Sequence, residues 1–349
     1  MLTRDIITIG NNTKRKIRIC TASLLLLCTG MVSMWYVLLS SKDKLYEEAI
    51  IIGDSDLADP TAAPFPIGVN PRTKTITENT TVDDYVSTHL SIETAEPTRR
   101  TSFIREIQER LVTAPWYQNV ASPLSRILII RPGYRKEQVV KQFGDILGWN
   151  DTERERFSEL ITSANPELPD GTFFPDTYMV TKDATPEDVA TLVHNQFLIE
   201  ILNRYGQADD TVPIADAIII ASLLEREAYD FNDMRYISGI IWNRLFIDMR
   251  LQLDATLQYA KGSQPTSPVW WPQVVPQHKY IDSPYNTYQN EGLPPAPIAN
   301  VSAAAVIAAL NPRETDCMFY FHDARAGFHC SETYEEHKAL IKKYYGQSE

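Results

Sequence analysis

The feature that most constrains this chain is a run of 23 residues without a charged side chain, from Ile19 to Ser41. A run of that length can cross the hydrocarbon core of a bilayer as a helix. Five basic side chains precede it against a single acid, Asp5, whereas the residues from Lys42 onward are mixed in sign. The positive-inside rule therefore predicts a cytoplasmic tail at 1–18, one transmembrane helix at 19–41 and an extracytoplasmic remainder.

A cleavable signal peptide is the alternative interpretation of the same run. Signal peptides usually have a shorter apolar core, followed by a cleavage site with small residues. No such site follows at a convincing position. We therefore expect an uncleaved, single-pass anchor.

The charge balance and the metal-binding residue types limit the partners. Lys and Arg number 33 against 45 Asp and Glu, and a net charge of −12 argues against a nucleic-acid partner. The six histidines are scattered and no Cys/His spacing suggests zinc, so we expect no metal and no cofactor. Cys317 and Cys330 are compatible with a disulfide or with two buried thiols.

Composition divides the extracytoplasmic part into three segments. Residues 42–124 are poor in large aliphatic side chains, which favours a partly disordered tether with one short structured patch. Residues 125–205 have the pattern of a small module, with one strand and three helices at 127–130, 136–147, 151–163 and 186–205. Residues 206–349 are predicted to be mostly helical with a short sheet, so the chain as a whole is expected to be α+β.

Within the third segment, residues 262–297 stand apart from the helices. They contain eight prolines, two adjacent tryptophans and almost no periodicity. Long aperiodic segments inside a folded domain are usually functional or disordered. The aromatic content favours a segment that lines a substrate site.

The stretch ASLLEREA at 221–228 ends a strongly apolar helical run with two glutamates, Glu225 and Glu227. Residues two apart on a helix point roughly 200° apart, so the two carboxylates cannot serve one pocket as a pair. A buried carboxyl has its pKa raised, which suits a general acid. The alternative is a helix end that emerges into water, and the pattern alone does not decide between the two.

Several separate motifs resemble one known family. They are DGTFFPDTY, ASLLEREA, SGIIWNRLFIDMRLQLDATLQYA and SPYNTYQNEGLPPAPIANVSAAAVIAALNP, in this order from about residue 127 to the end. Together they resemble the endolytic murein transglycosylases, the YceG-like family of the bacterial inner membrane. The resemblance implies a LysM-like module at 125–205 and a catalytic domain at 206–349. It also implies cleavage of peptidoglycan glycan strands between N-acetylmuramic acid and N-acetylglucosamine, leaving 1,6-anhydro ends.

The resemblance also implies roles for individual residues. The family's catalytic acid falls on Glu227, and Glu225 matches a second recurrent acid that we take as supporting. Further positions match motifs that we expect to support the site or bind substrate: Asn243, Arg244, Gln252, Asp254, Tyr285, Asn286, Thr287 and Tyr288. Peptidoglycan strands are the implied partner, together with wall-synthesis proteins such as penicillin-binding proteins.

The chain departs from the family pattern at two places. The family's His-x-Phe-Ser is Phe328–Ser331 here, which displaces the histidine to His329 and puts its role in doubt. The family's Pro-Gly is Val301-Ser302. Two other functions remain open: a two-carboxylate hydrolase of the same polymer with Asp254 as second acid, and a catalytically silent glycan-binding scaffold.

Overall fold

The computed structural model describes residues 50–51, 63–78, 80–89, 124–164, 168, 170–267 and 269–346. These residues are mostly helical with three small sheets, which confirms the α+β class. None of their helices is long and apolar enough to cross a membrane. The predicted cytoplasmic tail and transmembrane helix, at 1–18 and 19–41, lie outside the described residues.

The first described elements lie within the segment predicted as a tether. They are the strands β1 (Ile50–Ile51), β2 (Val69–Asn70) and β3 (Thr75–Ile76) and the helix α1 (Val82–His89). The strands β2 and β3 pair antiparallel as a hairpin. Four apolar side chains of this part are buried in the same core as the C-terminal domain: Phe65, Val69, Val82 and Val86.

Polar contacts tie this part to the C-terminal domain as well. Asp83 on α1 accepts from the guanidinium of buried Arg235 at 3.2 Å. The Asn311 side-chain amide donates to the carbonyl of Pro66 at 2.6 Å. More of the predicted tether is structured than one short patch, because Phe65, Val69, Val82 and Val86, although widely spaced in sequence, all face one core.

The small module contains β4 (Ser125–Ile129), α2 (Lys136–Leu147), α3 (Asp151–Ala164), β5 (Thr177–Thr181) and α4 (Pro186–Phe197). The strands β4 and β5 pair antiparallel, and β1 pairs parallel with the other edge of β5. Three phenylalanines, Phe143, Phe157 and Phe173, pack together in its core. The sequence analysis missed β5, because this short strand lies among turn-forming residues.

The helix predicted over 186–205 is not uniform. After α4 the chain passes through a π-helical turn at Leu198–Leu202 into the short α5 (Asn203–Tyr205). Thr185 caps α4, since its hydroxyl accepts from the Asp188 amide, and Pro186 occupies the first turn.

The C-terminal domain consists of α6 (Ile214–Glu227), α7 (Phe231–Phe246), α8 (Asp254–Gly262), α9 (Ala303–Leu310), β6 (Phe319–His322), β7 (Phe328–Ser331) and α10 (Tyr334–Tyr345). The buried helix α9 packs against α6 and α7. Its alanines allow this close packing. The segment after α9 also approaches α7 closely at Gly239, where an added Cβ would lie 2.3 Å from the Arg313 carbonyl oxygen.

The β6–β7 hairpin carries a disulfide between Cys317 and Cys330. The two strands pair antiparallel, with Tyr320 opposite Cys330. Of the two alternatives that the sequence left open, the structure has the cross-link. It links the residue just before β6 to β7 and thereby braces the strand that carries Tyr320.

The module docks beside the C-terminal end of α6. The Gly133 amide donates to the Asn300 carbonyl at 2.9 Å, and the Asn300 amide donates to the Tyr134 carbonyl at 2.8 Å. Gly133 has a φ of +74°, and a Cβ there would lie 3.3 Å from the Arg226 side chain. The turn at 132–133 therefore lies directly against the Glu-Arg-Glu segment.

Candidate active site

Both glutamates lie in the last turn of α6, which ends because Ala228 is extended, with φ −95° and ψ 152°. The helix is buried up to Leu224, and the two glutamate side chains are only partly accessible. The end of the helix therefore does not simply emerge into water. Each carboxylate has its own partners.

Glu227 lies between two separate elements. Its Oε1 accepts from the backbone amide of Ala255, at the start of α8, at 3.1 Å. Its Oε2 accepts from the Tyr320 hydroxyl on β6 at 2.9 Å. Burial raises the pKa of Glu227, and the nearby charge of Asp254 raises it further, while the two hydrogen bonds oppose the shift. A carboxyl in this state keeps its proton to higher pH than a free glutamate and remains in a fixed orientation.

Glu225 points to the opposite side of the helix, toward the start of α9. Its Oε1 accepts from the Ser302 amide at 2.9 Å and from the Ser302 hydroxyl at 2.6 Å. Ser302 is also the N-cap of α9, since its hydroxyl accepts from the Ala305 amide. Burial raises the pKa of Glu225 to about 7, against the effect of these hydrogen bonds. This carboxylate joins two helices, which is a supporting role. The departure at Val301-Ser302 supplies its partner.

Arg226, between the two glutamates, points toward the module. Its guanidinium lies 4.0 Å from the centre of the Trp271 ring. The indole N–H of Trp271 donates to the Gln138 side chain on α2 at 2.9 Å. The segment 262–297 thus bridges α6 and the module at this point.

Asp254 and Tyr288 lie beside Glu227. Asp254 is exposed at the first position of α8, and its Oδ1 accepts from the Tyr288 hydroxyl at 2.7 Å. Burial raises the pKa of Tyr288, and the charges of Asp254 and Glu227 raise it further. Gln252 is exposed with a φ of +50°, and its backbone amide donates to the Thr287 carbonyl at 3.1 Å. Asp254 is therefore the predicted residue whose charge acts on Glu227, and Tyr288 holds Asp254 in place.

Asn243 and Arg244 contact backbone. The Asn243 side-chain amide donates to the Thr315 carbonyl at 2.6 Å. The Arg244 guanidinium donates to the carbonyls of Met318 and Leu251. These contacts hold the segments before β6 and before α8, the elements that carry the two partners of Glu227. Both residues act on the site through the backbone that they hold.

The Tyr-Asn-Thr-Tyr segment at 285–288 divides into two pairs. Asn286 is buried and donates to the carbonyls of Lys279 and Ile281. The Thr287 hydroxyl accepts from the Leu253 amide at 3.0 Å. The two tyrosines are partly accessible instead: Tyr288 faces Asp254, and Tyr285 lines a separate cavity. Only the tyrosines are placed for contact with a ligand.

The sequence analysis missed Tyr320 and His322. Both lie on β6, and they share one face because they are two residues apart. His322 pairs with Asp233 at 2.9 Å, and its charge acts on Glu227 to lower the pKa. The doubtful His329 pairs with Asp323 and packs on Tyr344 instead. The sequence signal that could have identified them was a polar side-chain atom on alternate residues of the strand.

In the part of the chain that the structure describes, no group of three or more His, Cys, Asp or Glu side chains is placed to hold a metal ion. The site consists of a half-buried acid, a tyrosine hydroxyl, a second carboxylate and one backbone donor. This set is suited to proton transfer.

Comparison with known proteins points in one direction. The YceG-like family matches residues 98–343. A Bacillus subtilis protein named endolytic murein transglycosylase is 31% identical over 223 residues, which cover 60% of this chain and 59% of that protein. Its namesake from Streptococcus pneumoniae serotype 2 is 28% identical over 177 residues, covering 50% of this chain and 32% of that protein. The chain therefore matches less than two thirds of the length of these curated relatives.

A solved structure agrees with this comparison. The crystal structure of a YceG-like protein from Listeria monocytogenes superposes with a TM-score of 0.54 at 26% identity, covering 70% of this chain and 81% of that one. The family match spans well over half of the chain, from before the module to the last helix. On this basis the chain belongs to the YceG-like family.

Proposed function

We propose that this protein is an endolytic lytic transglycosylase of peptidoglycan with Glu227 as its single general acid and base. It cleaves glycan strands between N-acetylmuramic acid and N-acetylglucosamine and leaves 1,6-anhydro ends. The observation that carries the proposal is the environment of Glu227, a half-buried carboxyl held by two donors from separate elements. The name shared by the curated relatives supports the choice of polymer.

The proposed reaction needs only one protein acid. Glycosidases ordinarily use two carboxylates, one as acid and one as nucleophile or base. In the proposed reaction the C6 hydroxyl of the N-acetylmuramic acid unit is the nucleophile. Glu227 gives its proton to the glycosidic oxygen while the bond from C1 to that oxygen breaks and a bond from O6 to C1 forms. The resulting carboxylate takes the C6 hydroxyl proton, so no water is consumed and the acid is regenerated.

The neighbours of Glu227 have defined roles in this scheme. The Ala255 amide and the Tyr320 hydroxyl orient the carboxyl and stabilise its anionic form after proton transfer. Asp254, held by Tyr288, supplies a negative charge that favours the positive charge developing at C1. Asp254 has no covalent role.

The proposed setting is the outer face of the bacterial cytoplasmic membrane. The charge-free run at 19–41 and the basic residues before it support a single-pass anchor with the N-terminus inside. A catalytic domain held there meets newly made glycan strands. Its proposed protein partners are the wall-synthesis enzymes that make them, including penicillin-binding proteins.

The test is mass spectrometry of the products from uncrosslinked glycan strands. The full chain in mild detergent is compared with Glu227→Gln, which keeps the size of the side chain and removes its proton. Anhydro-ended fragments from the wild type and none from the variant are expected. No cleavage by a folded wild type would overturn the proposal in favour of a glycan-binding scaffold.

A two-carboxylate hydrolase is the second candidate, because Asp254 is exposed and its charge acts on Glu227. The same experiment separates the two reactions. A hydrolase adds water and leaves reducing ends, and its rate depends on Asp254 as strongly as on Glu227. Reducing ends that disappear in Asp254→Asn would establish the hydrolase.

A further inference from the structure

A cavity of about 580 Å³ lies where the module meets the C-terminal domain, and Glu227 is not among the residues that line it. The module contributes Arg135 and Glu137. The C-terminal domain contributes Tyr259 on α8 and two aromatic residues of the segment 262–297, Trp270 and Tyr285. The cavity therefore exists only where the two parts are docked.

The wall on the module side is rigid and electrically neutral. Arg135 is 2% exposed, and its guanidinium forms an ion pair with Glu137 at 3.1 Å. It also donates to the Ser263 hydroxyl at 2.9 Å and lies 4.2 Å from the centre of the Tyr259 ring. Glu137 remains 34% exposed. Part of the Glu137 carboxylate is thus accessible to a ligand, although Arg135 already balances its charge.

The floor of the cavity is equally fixed. The Tyr259 hydroxyl donates to buried Asp170 at 2.7 Å, and Asp170 also accepts from the Lys136 amide at 3.1 Å. The Tyr285 ring lies 4.7 Å from the Tyr259 ring. Gly262 allows the chain at Trp270 to approach α8, because a Cβ there would lie 2.0 Å from the Trp270 carbonyl oxygen. The aromatic faces are held in position before any ligand arrives.

The chemistry of the lining selects a neutral ring that carries hydroxyl or amide groups. Trp270 is 36% exposed and Tyr285 partly so, and such aromatic faces pack against the apolar face of a ring. Glu137 and the serines of the lining can accept or donate hydrogen bonds at its edge. An anion would meet a guanidinium that is already paired, and an amine would meet a carboxylate that is already paired. A sugar ring meets neither difficulty.

The cavity also lies within reach of a strand bound at Glu227. Ala255, whose amide bonds Glu227, and Tyr259 are separated by four residues of α8, roughly 6 Å of helical rise. Trp271, next to Trp270, packs on Arg226 of the Glu-Arg-Glu segment. A polymer lying along α8 would place its reacting bond at one end of the helix and a later sugar at the other.

We propose that this cavity is a distal sugar subsite that binds an N-acetylhexosamine unit of the strand cleaved at Glu227. Trp270 and Tyr285 are the platforms, and Glu137 accepts from the ring hydroxyls or the amide. The identity of the polymer rests on the proposed function, whereas binding in the cavity does not. The subsite makes the docked module part of substrate recognition, because binding far from the reacting bond improves positioning at that bond.

The experiment measures sugar binding at Trp270 directly. The full chain with Glu227→Gln, in mild detergent, is labelled with 5-fluorotryptophan at its six tryptophans, and Trp270→Phe assigns one fluorine resonance. The probe is the tetramer of N-acetylglucosamine. We expect the Trp270 resonance to shift on titration, and we expect Trp270→Ala to weaken binding about tenfold. Unchanged resonances of the other tryptophans show that the variant is folded.

Tyr280→Ala is the matched control, since Tyr280 belongs to the same segment, is 81% exposed and does not line the cavity. It should bind the tetramer as tightly as the parent. A Trp270 resonance that does not move while the wild-type chain cleaves strands would overturn the subsite and leave the proposed function intact. A shift in a chain that cleaves nothing would support the subsite and overturn the function.

Discussion

The last turn of α6 presents two carboxylates to two different surroundings. Glu225 faces the start of α9, where one residue, Ser302, supplies both donors. Glu227 faces a space bounded by α8 and the β6–β7 hairpin, where its donors come from two elements. Burial raises the pKa of both. A raised pKa therefore does not distinguish the two carboxylates, whereas the elements that supply their partners do.

The largest expected effect separates the two glutamates by rate. Glu227→Gln should lower the rate of strand cleavage by two to four orders of magnitude, because it removes the proton that the leaving oxygen needs. Glu225→Gln keeps an oxygen that can accept from Ser302, so we expect a loss of about tenfold or less, through small changes in position. The measurement is the initial rate on uncrosslinked strands at saturating concentration.

Equal losses in the two variants would break this comparison. In that case both carboxylates would take part in one reaction, despite pointing to opposite sides of the helix. Circular dichroism of both variants, recorded under the assay conditions, shows whether an unfolded protein explains a loss.

The next effect concerns the hydroxyl of Tyr320, which lowers the pKa of Glu227 through its hydrogen bond. Tyr320→Phe removes that bond, so the pKa of Glu227 should rise. Because the acid must be protonated to react, the alkaline limb of the kcat/KM profile should move to higher pH, by roughly one unit. A pH series of initial rates on short strands measures the shift.

Tyr334→Phe is the control for this change, because Tyr334 lies on α10 and is largely exposed. Its profile should match that of the wild type. An unshifted profile in Tyr320→Phe would mean that the titrating acid is a residue other than Glu227.

The sequence predicted the helix that carries the two glutamates better than it predicted their partners. The apolar run that ends in ASLLEREA predicted the C-terminal end of α6, because burial acts locally. The pattern could not say which glutamate has which partner. That depends on contacts such as Tyr320 to Glu227, which join residues 93 positions apart. No periodicity within one element records such a pairing.

For the same reason, the sequence could not predict the contacts where the module meets the C-terminal domain. The prediction that 262–297 lines a substrate site named the aromatic residues but not the wall opposite them. That wall is Arg135 at the start of α2, which lies in contact with Ser263, 128 residues away. An arginine followed by Lys136 and Glu137 is typical of an exposed helix start. Only the docking of two parts shows that it is buried.

The last expected effect is on stability and is a change in its pH dependence at Glu225. Its pKa is raised from 4.5 to about 7 in the folded protein, so the folded state binds more protons than the unfolded state in this window. The free energy of unfolding contributed by Glu225 therefore falls as the pH rises from 4.5 to 7. Glu225→Gln cannot titrate and should lose this slope, which amounts to about 3 kcal/mol across the window.

Thermal unfolding of both proteins at pH 5 and pH 8 measures the change in slope, and the other buried acids contribute equally to both. Ser302→Ala provides the opposite test, because loss of the hydroxyl donor should raise the pKa of Glu225 further and steepen the fall in stability. Parallel curves for the wild type and Glu225→Gln would show that Glu225 is charged throughout. Glu225 would then be an ordinary anion at a helix end, and only the surroundings of Glu227 would raise the pKa of a carboxyl group.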